Sequence, residues 1–354
     1  MDLQEQLDLE PLLHAIDDSI QQEMPGFSFY NIFENLMQGN LQIDLEYILA
    51  QIVQAVSHDM TVQFSFIGQM IVLAVLYALL SRMENSFSGS SIQKLSGLLM
   101  QAIAVLLLLK SGNTVLLYGQ EAVVRLAELM QILLPVQLLL MTGLGNIQTA
   151  GLLKPSLVLI VQIAVWFFRT ILMPLITVEF VLKLMNSLSD TYRLDGMAAF
   201  LRKLILTVIT FSMMLFLAVL SIQGISGHVL DRLSLRTVKY VAGNAIPVVG
   251  STLSGLLETL MSGAMLIRGA IGFIGLLAVL LLTVLPACKL LVLYFLYHFT
   301  AAVLQPVGDT HITGLLEQAA NTYMLIFAVV ALTGVFFFFM ILIVLAASGA
   351  VLGG

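Results

Sequence analysis

Seven apolar runs, residues 62–80, 95–109, 157–178, 204–222, 270–286, 288–304 and 322–347, limit what this chain can fold into. A helix needs roughly 20 predominantly apolar residues to cross a bilayer core, whereas the strands of a membrane barrel would alternate apolar and polar positions. With 59% hydrophobic residues, 10% charged residues and a mean hydropathy of +1.01, the chain has more apolar surface than one soluble core can hide. The expected fold class is all-α: a polytopic integral membrane helix bundle of about seven to nine membrane segments, re-entrant or broken helices included. Two stretches stay open between a full span, a half-span and a hairpin entering from one side. One is 122–142, where Arg125 and Glu128 stand at i, i+3 and Pro135 interrupts the middle; the other is 243–264.

Charge divides the chain in two. Residues 1–61 carry eleven acidic side chains and no Lys or Arg, and Arg82 is the first basic residue. Because Lys and Arg hold a flank in the cytoplasm, residues 1–61 are expected to form an acidic extracytoplasmic tail and residues 62–350 a multi-span membrane domain. In the tail, residues 1–23 read as a short acidic helix, and 24–40, with Pro25, Gly26 and Gly39, as a looser linker. Leu45, Ile48, Leu49, Ile52, Val53 and Val56 then form one apolar helical stripe that needs a partner surface. Met1 is followed at once by acidic residues, so no signal peptide is read here. Arg82 and Lys94, and likewise Lys183, Arg193, Arg202 and Lys203, should hold their flanks inside, while 305–321, without Lys or Arg, should face outward. His228, Arg232, Arg236 and Lys239 share one helical face, suited either to a helix lying on anionic lipid or to an ordinary cytoplasmic loop.

No catalytic constellation is present. The five histidines are scattered, and no metalloprotease, phosphate-loop or nucleophile-elbow motif occurs. Cys288 is the only cysteine, which excludes an intrachain disulfide and a cysteine-based metal site. The expectation is a protein that is not an enzyme, with no cofactor, no metal and no nucleic-acid partner. Intramembrane charge is more informative. Arg169 lies deep in the 157–178 run, where it marks a pathway or a buried pair, or snorkels from a tilted helix. Lys289 and Arg268 flank runs and read as interfacial anchors. In "GNAIPVVGSTLSGLLETLMSGA", a helix starting after Pro247 places Ser251, Gly255, Glu258 and Ser262 on one small, polar face. Such a face lines water or lets two helices approach closely, and a carboxylate favours water. Gly243, Asn244, Pro247 and Gly250 would form the broken-helix turn before it.

The runs "LSLRTVKYVAGNAIPVVGSTLSGLLET" (233–259), "LPACKLLVLYFLYHFTAAVLQPVGD" (285–309), "MPLITVEFVLKLMNSLSDTY" (173–192) and "LAVLSIQGISG" (217–227) carry a resemblance. With the final Phe-rich span, they resemble the stage III sporulation protein AE family of endospore-forming bacteria over roughly residues 60–350. The resemblance implies a multi-pass subunit of a secretion-like transenvelope channel joining mother cell and forespore and needed for late forespore development. It would sit in the mother-cell membrane around the forespore, with its N-terminus in the intermembrane space. Implied partners are the other stage III sporulation A proteins, namely a cytoplasmic ATPase and ring-forming proteins, with stage II sporulation protein Q contacted indirectly. Membrane lipid is a further expected partner, and a homo-oligomer is left open. Family members often begin with a signal-like segment, which this sequence does not display. A purely structural assembly platform and a secondary transporter with Glu258 as coupling group are the alternative readings.

Cysteines placed in residues 1–61 of a chain lacking Cys288 should react with a membrane-impermeant maleimide in intact protoplasts of cells that produce the chain without enclosing a forespore. Labelling that appears only after lysis would reverse the orientation.

Overall fold

The computed structural model describes residues 10–21, 28–37, 45–84, 90–143, 147–187, 194–226, 250–307 and 310–349. Nine α-helices are found among them: α1 Glu10–Gln21, α2 Phe29–Met37, α3 Leu45–Glu84, α4 Ser90–Gly143, α5 Ile147–Phe167, α6 Met173–Ser187, α7 Asp195–Ser226, α8 Gly250–Leu304 and α9 Thr310–Gly349. A π-turn, Phe168–Leu172, joins α5 to α6, and a 3-10 turn, Gln305–Val307, follows α8. No strand occurs among the described residues, so the all-α reading holds.

Five described segments are long and apolar enough to cross a membrane: Gly97–Thr142, Pro155–Ser187, Asp195–Leu215, Gly269–Leu304 and His311–Leu345; Gln63–Leu79 is a shorter apolar helix. The division into runs is coarser than the sequence suggests. Residues 270–286 and 288–304 lie on the unbroken helix α8, and 122–142 continues from 95–109 within α4. Neither pair can form a hairpin, because a helix does not reverse direction. Pro135, Pro155 and Pro286 sit inside helices that run through them. Each proline removes one ladder donor, which neighbouring helices in a bundle can accommodate. At 1.5 Å per residue, the 54 residues of α4 reach about 81 Å, well beyond one hydrocarbon core of roughly 30 Å.

Helices α4, α8 and α9 pack on one another at the centre; α3, α5, α6 and α7 flank them, and α1 and α2 lie against α4 and α8. Side-chain neighbours fix the directions. Gln63 meets Ser111 and Tyr77 approaches Gly97, so α3 and α4 are antiparallel. Phe180 faces Gly112 and Met173 faces Gly119, so α6 also runs against α4. Tyr297 meets Tyr323, Thr283 meets Gly334 and Leu345 meets Gly272, making α8 and α9 antiparallel. The C-terminal ends of α3, α6 and α8 therefore gather at one end of the bundle with the N-terminal ends of α4, α7 and α9. The inward reading of 183–203 and the outward reading of 305–321 therefore cannot both hold. The turn after α8 opens at the same end as the basic-flanked ends of α6 and α7, and helix packing, not composition, groups these ends together.

The tail differs from expectation in one respect. Residues 29–37, read as linker, form α2, with Phe29 and Phe33 buried. Its start is held by Asp17 of α1, whose buried carboxylate accepts from the Phe29 amide at 2.5 Å and the Ser28 hydroxyl at 3.1 Å. A side-chain acceptor at a helix N-terminus satisfies otherwise orphaned amides, and this one comes from outside the local sequence. The stripe of 45–56 opens α3, where Ile52 and Val56 pack against the core while Val53 is exposed. Helix α3 crosses the 61/62 boundary without a break.

Gly112 marks the tightest approach of α4 to α6, since a Cβ there would overlap the Phe180 ring. Gly112→Val should lower stability by about 1–3 kcal/mol, read as melting temperature in detergent, and Phe180→Leu in the same chain should recover part of the loss. No change on Gly112→Val would disprove the contact.

Candidate functional site

A layer of polar side chains crosses the apolar interior of the bundle. Ser111 of α4 lies at its centre, fully buried. Its hydroxyl donates to Gln63 Oε1 of α3 at 2.9 Å and meets the Tyr297 hydroxyl of α8 at 2.5 Å and the Tyr323 hydroxyl of α9 at 3.1 Å. A serine has one proton to give and two lone pairs. With that proton on Gln63, both tyrosines donate to Ser111, and Tyr297 shares its proton with Gln63 Oε1 at 3.2 Å. The two tyrosine rings pack edge to face, with centroids 5.0 Å apart. Tyrosine suits the position because its ring fills the apolar layer while its hydroxyl reaches a buried partner.

A charged pair adjoins this hub. Glu179 of α6 is fully buried and forms an ion pair with Lys183 one turn on, whose side chain keeps 15% exposure. Thr322 of α9 shares its one hydroxyl proton between Glu179 Oε2 at 3.3 Å and the Gln318 carbonyl at 3.1 Å. Ser111–Gly112, Glu179–Phe180 and Thr322–Tyr323 are neighbours in sequence. Ser111 touches Tyr323, and Gly112 faces Phe180, so hub and ion pair occupy one level of the bundle. Glu precedes Lys by four residues, the favourable order on a helix. A carboxylate this deep is tolerable only with a cation and a hydroxyl in place.

Two turns from Tyr297 along α8, Lys289 is also buried, with its ammonium 5.2 Å from the centre of the Tyr118 ring. It is not the interfacial anchor that its flanking position suggests. Arg125, expected near Glu128, pairs with Glu121 at 2.7 Å on the exposed side of α4. Gln137 is buried beside Gly275, and within the described chain both its amide atoms lack a partner.

The residues singled out from sequence lie elsewhere. Ser251, Gly255, Glu258 and Ser262 all fall in the first turns of α8, continuous with the helix that carries Lys289 and Tyr297; their side chains lie outside the described residues. Gly250 opens α8, while Gly243, Asn244 and Pro247 lie outside the described residues, as do Arg232, Arg236 and Lys239. Arg169 stands in the π-turn and is exposed on the surface of the chain. Among the described residues no group of three or more His, Cys, Asp or Glu is placed to hold a metal ion. The layer itself was missed. Its one sequence signal is the Glu179/Lys183 spacing inside an apolar run; a single Ser and two Tyr among Leu and Phe carry none.

The arrangement can hold helices in register and can close a path through the bundle, since its polar atoms face one another and not a solvent space.

Residues 27–348 match the family described as Stage III sporulation protein AE. Stage III sporulation protein AE of Bacillus subtilis (strain 168) is 27% identical over 280 residues, covering 79% of this chain and 70% of that relative. No solved structure matches the chain.

Removing Lys183 should leave a buried carboxylate unpaired. Lys183→Met should therefore cost about 3–5 kcal/mol, seen as a lower melting temperature, whereas Glu179→Gln combined with Lys183→Met should cost clearly less. Equal losses would show that the pair is not coupled.

Proposed function

The chain belongs to the stage III sporulation protein AE family, and from that premise we propose that it is the multi-pass membrane subunit of a transenvelope conduit between mother cell and forespore, with the polar layer as its closed gate. The observation carrying this reading is the layer itself: Gln63, Ser111, Glu179, Tyr297, Thr322 and Tyr323, six buried polar groups from five helices at one level of an apolar bundle. Polar groups at membrane depth are costly and tend to mark paths for ions or substrates. Packing alone needs small residues, which this bundle already supplies at Gly112, Gly272 and Gly334. On this reading α8 serves twice, with Tyr297 in the gate and the small polar face of Ser251, Gly255, Glu258 and Ser262 lining the approach to it. The acidic tail faces the intermembrane space, where ring-forming partners assemble, and a cytoplasmic ATPase supplies the energy. No chemical step is assigned to this chain.

Cysteine accessibility tests the proposal in cells carrying Cys288→Ser. Ser111→Cys and Thr322→Cys should resist a small water-soluble thiol reagent before the complex assembles and react with it afterwards. Along the start of α8, cysteines at 251, 255, 258 and 262 should react while those at 253, 257 and 260 do not. Normal accumulation with no reaction at any of these positions in either state would leave the assembly platform as the reading.

A further inference from the structure

Between α5, α7 and α9 lies a cavity of about 700 Å³, lined by Ile163, Phe167, Phe168, Phe211, Ser212 and Phe336 among others. Its wall offers water almost nothing. The Ser212 hydroxyl is already committed to the Val208 carbonyl at 2.7 Å, which leaves the Thr207 hydroxyl as the main polar group. A cavity of this character excludes water and takes an apolar occupant. The strongly exposed lining residues Ile163 and Phe211 open it toward the hydrocarbon around the bundle. A flexible hydrocarbon chain suits such a crevice.

One cation stands beside it and two more lie further toward one end of the bundle. Arg169 follows directly on Phe168, and Arg202 and Lys203 lie about one turn before Thr207. The segment α5 to α6 runs toward the bundle end where α7 begins, and α7 runs away from it. Asn186 of α6 donates to Asp195 and accepts from the Leu194 amide, so the α6–α7 hairpin closes there, and Arg202 and Lys203 lie about 15 Å further toward that end than Arg169. Arg169 and Lys203 are exposed and Arg202 is half-buried. No carboxylate of the described residues is paired with Arg169. An exposed guanidinium within an apolar span is costly unless it snorkels to an anion, and guanidinium matches phosphate in a forked, charge-assisted geometry. The π-turn explains why Arg169 can reach out there. The ring of Pro174 cannot sit against the carbonyl four residues back, and the Met173 amide bonds instead to the Phe168 carbonyl five residues back. The wider turn that results presents Arg169 on the outer surface.

The geometry points to a binding site for an anionic phospholipid, one acyl chain lying in the crevice between α5, α7 and α9 and the headgroup phosphate held by Arg169, with Arg202 and Lys203 adding positive field from further along α7. A protein carboxylate would meet the charges but leave the crevice empty; a neutral lipid would fill the crevice but leave the charges unmatched. The site is separate from the polar layer and does not rest on the conduit reading.

The test uses the purified full chain, exchanged into bilayer discs of equal phosphatidylglycerol and phosphatidylcholine, then extracted mildly and examined by native mass spectrometry. Wild type should retain phosphatidylglycerol in preference to phosphatidylcholine. R169Q, R202Q and K203Q together should reduce that preference at least about fivefold, and Ser212→Phe, which narrows the crevice, should reduce retention of both lipids. R169K should keep most of the preference. Should the triple variant fail to accumulate, R169Q alone is compared with R169K. Equal retention of the two lipids by wild type, an unchanged preference without the cations, or retention unaffected by Ser212→Phe would each overturn the proposal. So would loss of a co-purifying protein, in place of lipid, on removing the cations.

Discussion

One hydroxyl, Ser111 Oγ, meets side chains from three other helices, Gln63 of α3, Tyr297 of α8 and Tyr323 of α9. In water such a group could exchange partners with solvent at little cost. Inside an apolar bundle it cannot, and a register slip would strand several polar groups at once. The close approaches agree with this hub. Gly112 beside Phe180, Gly119 beside Ile326 and Met173, and Gly334 beside Thr283 are each satisfied in the register that Ser111 selects. Apolar contacts between helices carry little directional information in a lipid surrounding, where the tails are as apolar as the side chains. The polar contacts supply the specificity, and the glycines let the backbones come near enough to use it.

The fold class was legible because it depends on a sum: long apolar runs have one helical solution in a membrane. The number of helices was less so. Pro286 and the weak polarity around Cys288 suggest a boundary between 270–286 and 288–304, yet α8 passes through both. A proline breaks a helix where water competes for the freed carbonyl, and inside a bundle that competition is missing. The helix α2 was hidden for a different reason. Its first amide is satisfied by Asp17, twelve residues upstream and on another helix, and the local signal is a single N-cap serine, Ser28, whose hydroxyl accepts from the Asn31 amide at 3.4 Å. The buried layer shows the same limit. The i, i+4 spacing of Glu179 and Lys183 can be found by inspection, but that Thr322 completes it from 143 residues away is a tertiary fact.

Two expectations drawn from charge counting meet at one end of the bundle, where they cannot both hold. Clusters such as Lys183, Arg193, Arg202 and Lys203 carry a positional signal because several cations add. The absence of cations from 305–321 carries very little, since the residues between the end of α8 and the start of α9 are few and need no charge of either sign to stay in place. Antiparallel packing of α8 on α9 then determines where that turn lies, whatever its composition. A missing signal in a short turn is weaker evidence than a present signal in a long one.

The polar layer, as it stands, is a closed object, and its energetics say what opening it would involve. Moving α9 away from α4 and α6 would break the Tyr323 contact to Ser111 and the Thr322 contact to Glu179 together, because Thr322 and Tyr323 are adjacent. Moving α6 alone would break one of these, and α6 carries its own counter-ion, Lys183, along with Glu179. The π-turn before α6 is also where the regular α-helical ladder of this segment is already interrupted. A displacement there adds less new disorder to the backbone than a break inside α4, α8 or α9. The balance of costs therefore falls unevenly over the layer: the three-helix hub of Ser111 resists disturbance as a unit, and α6 is the wall that can shift while keeping its buried carboxylate paired.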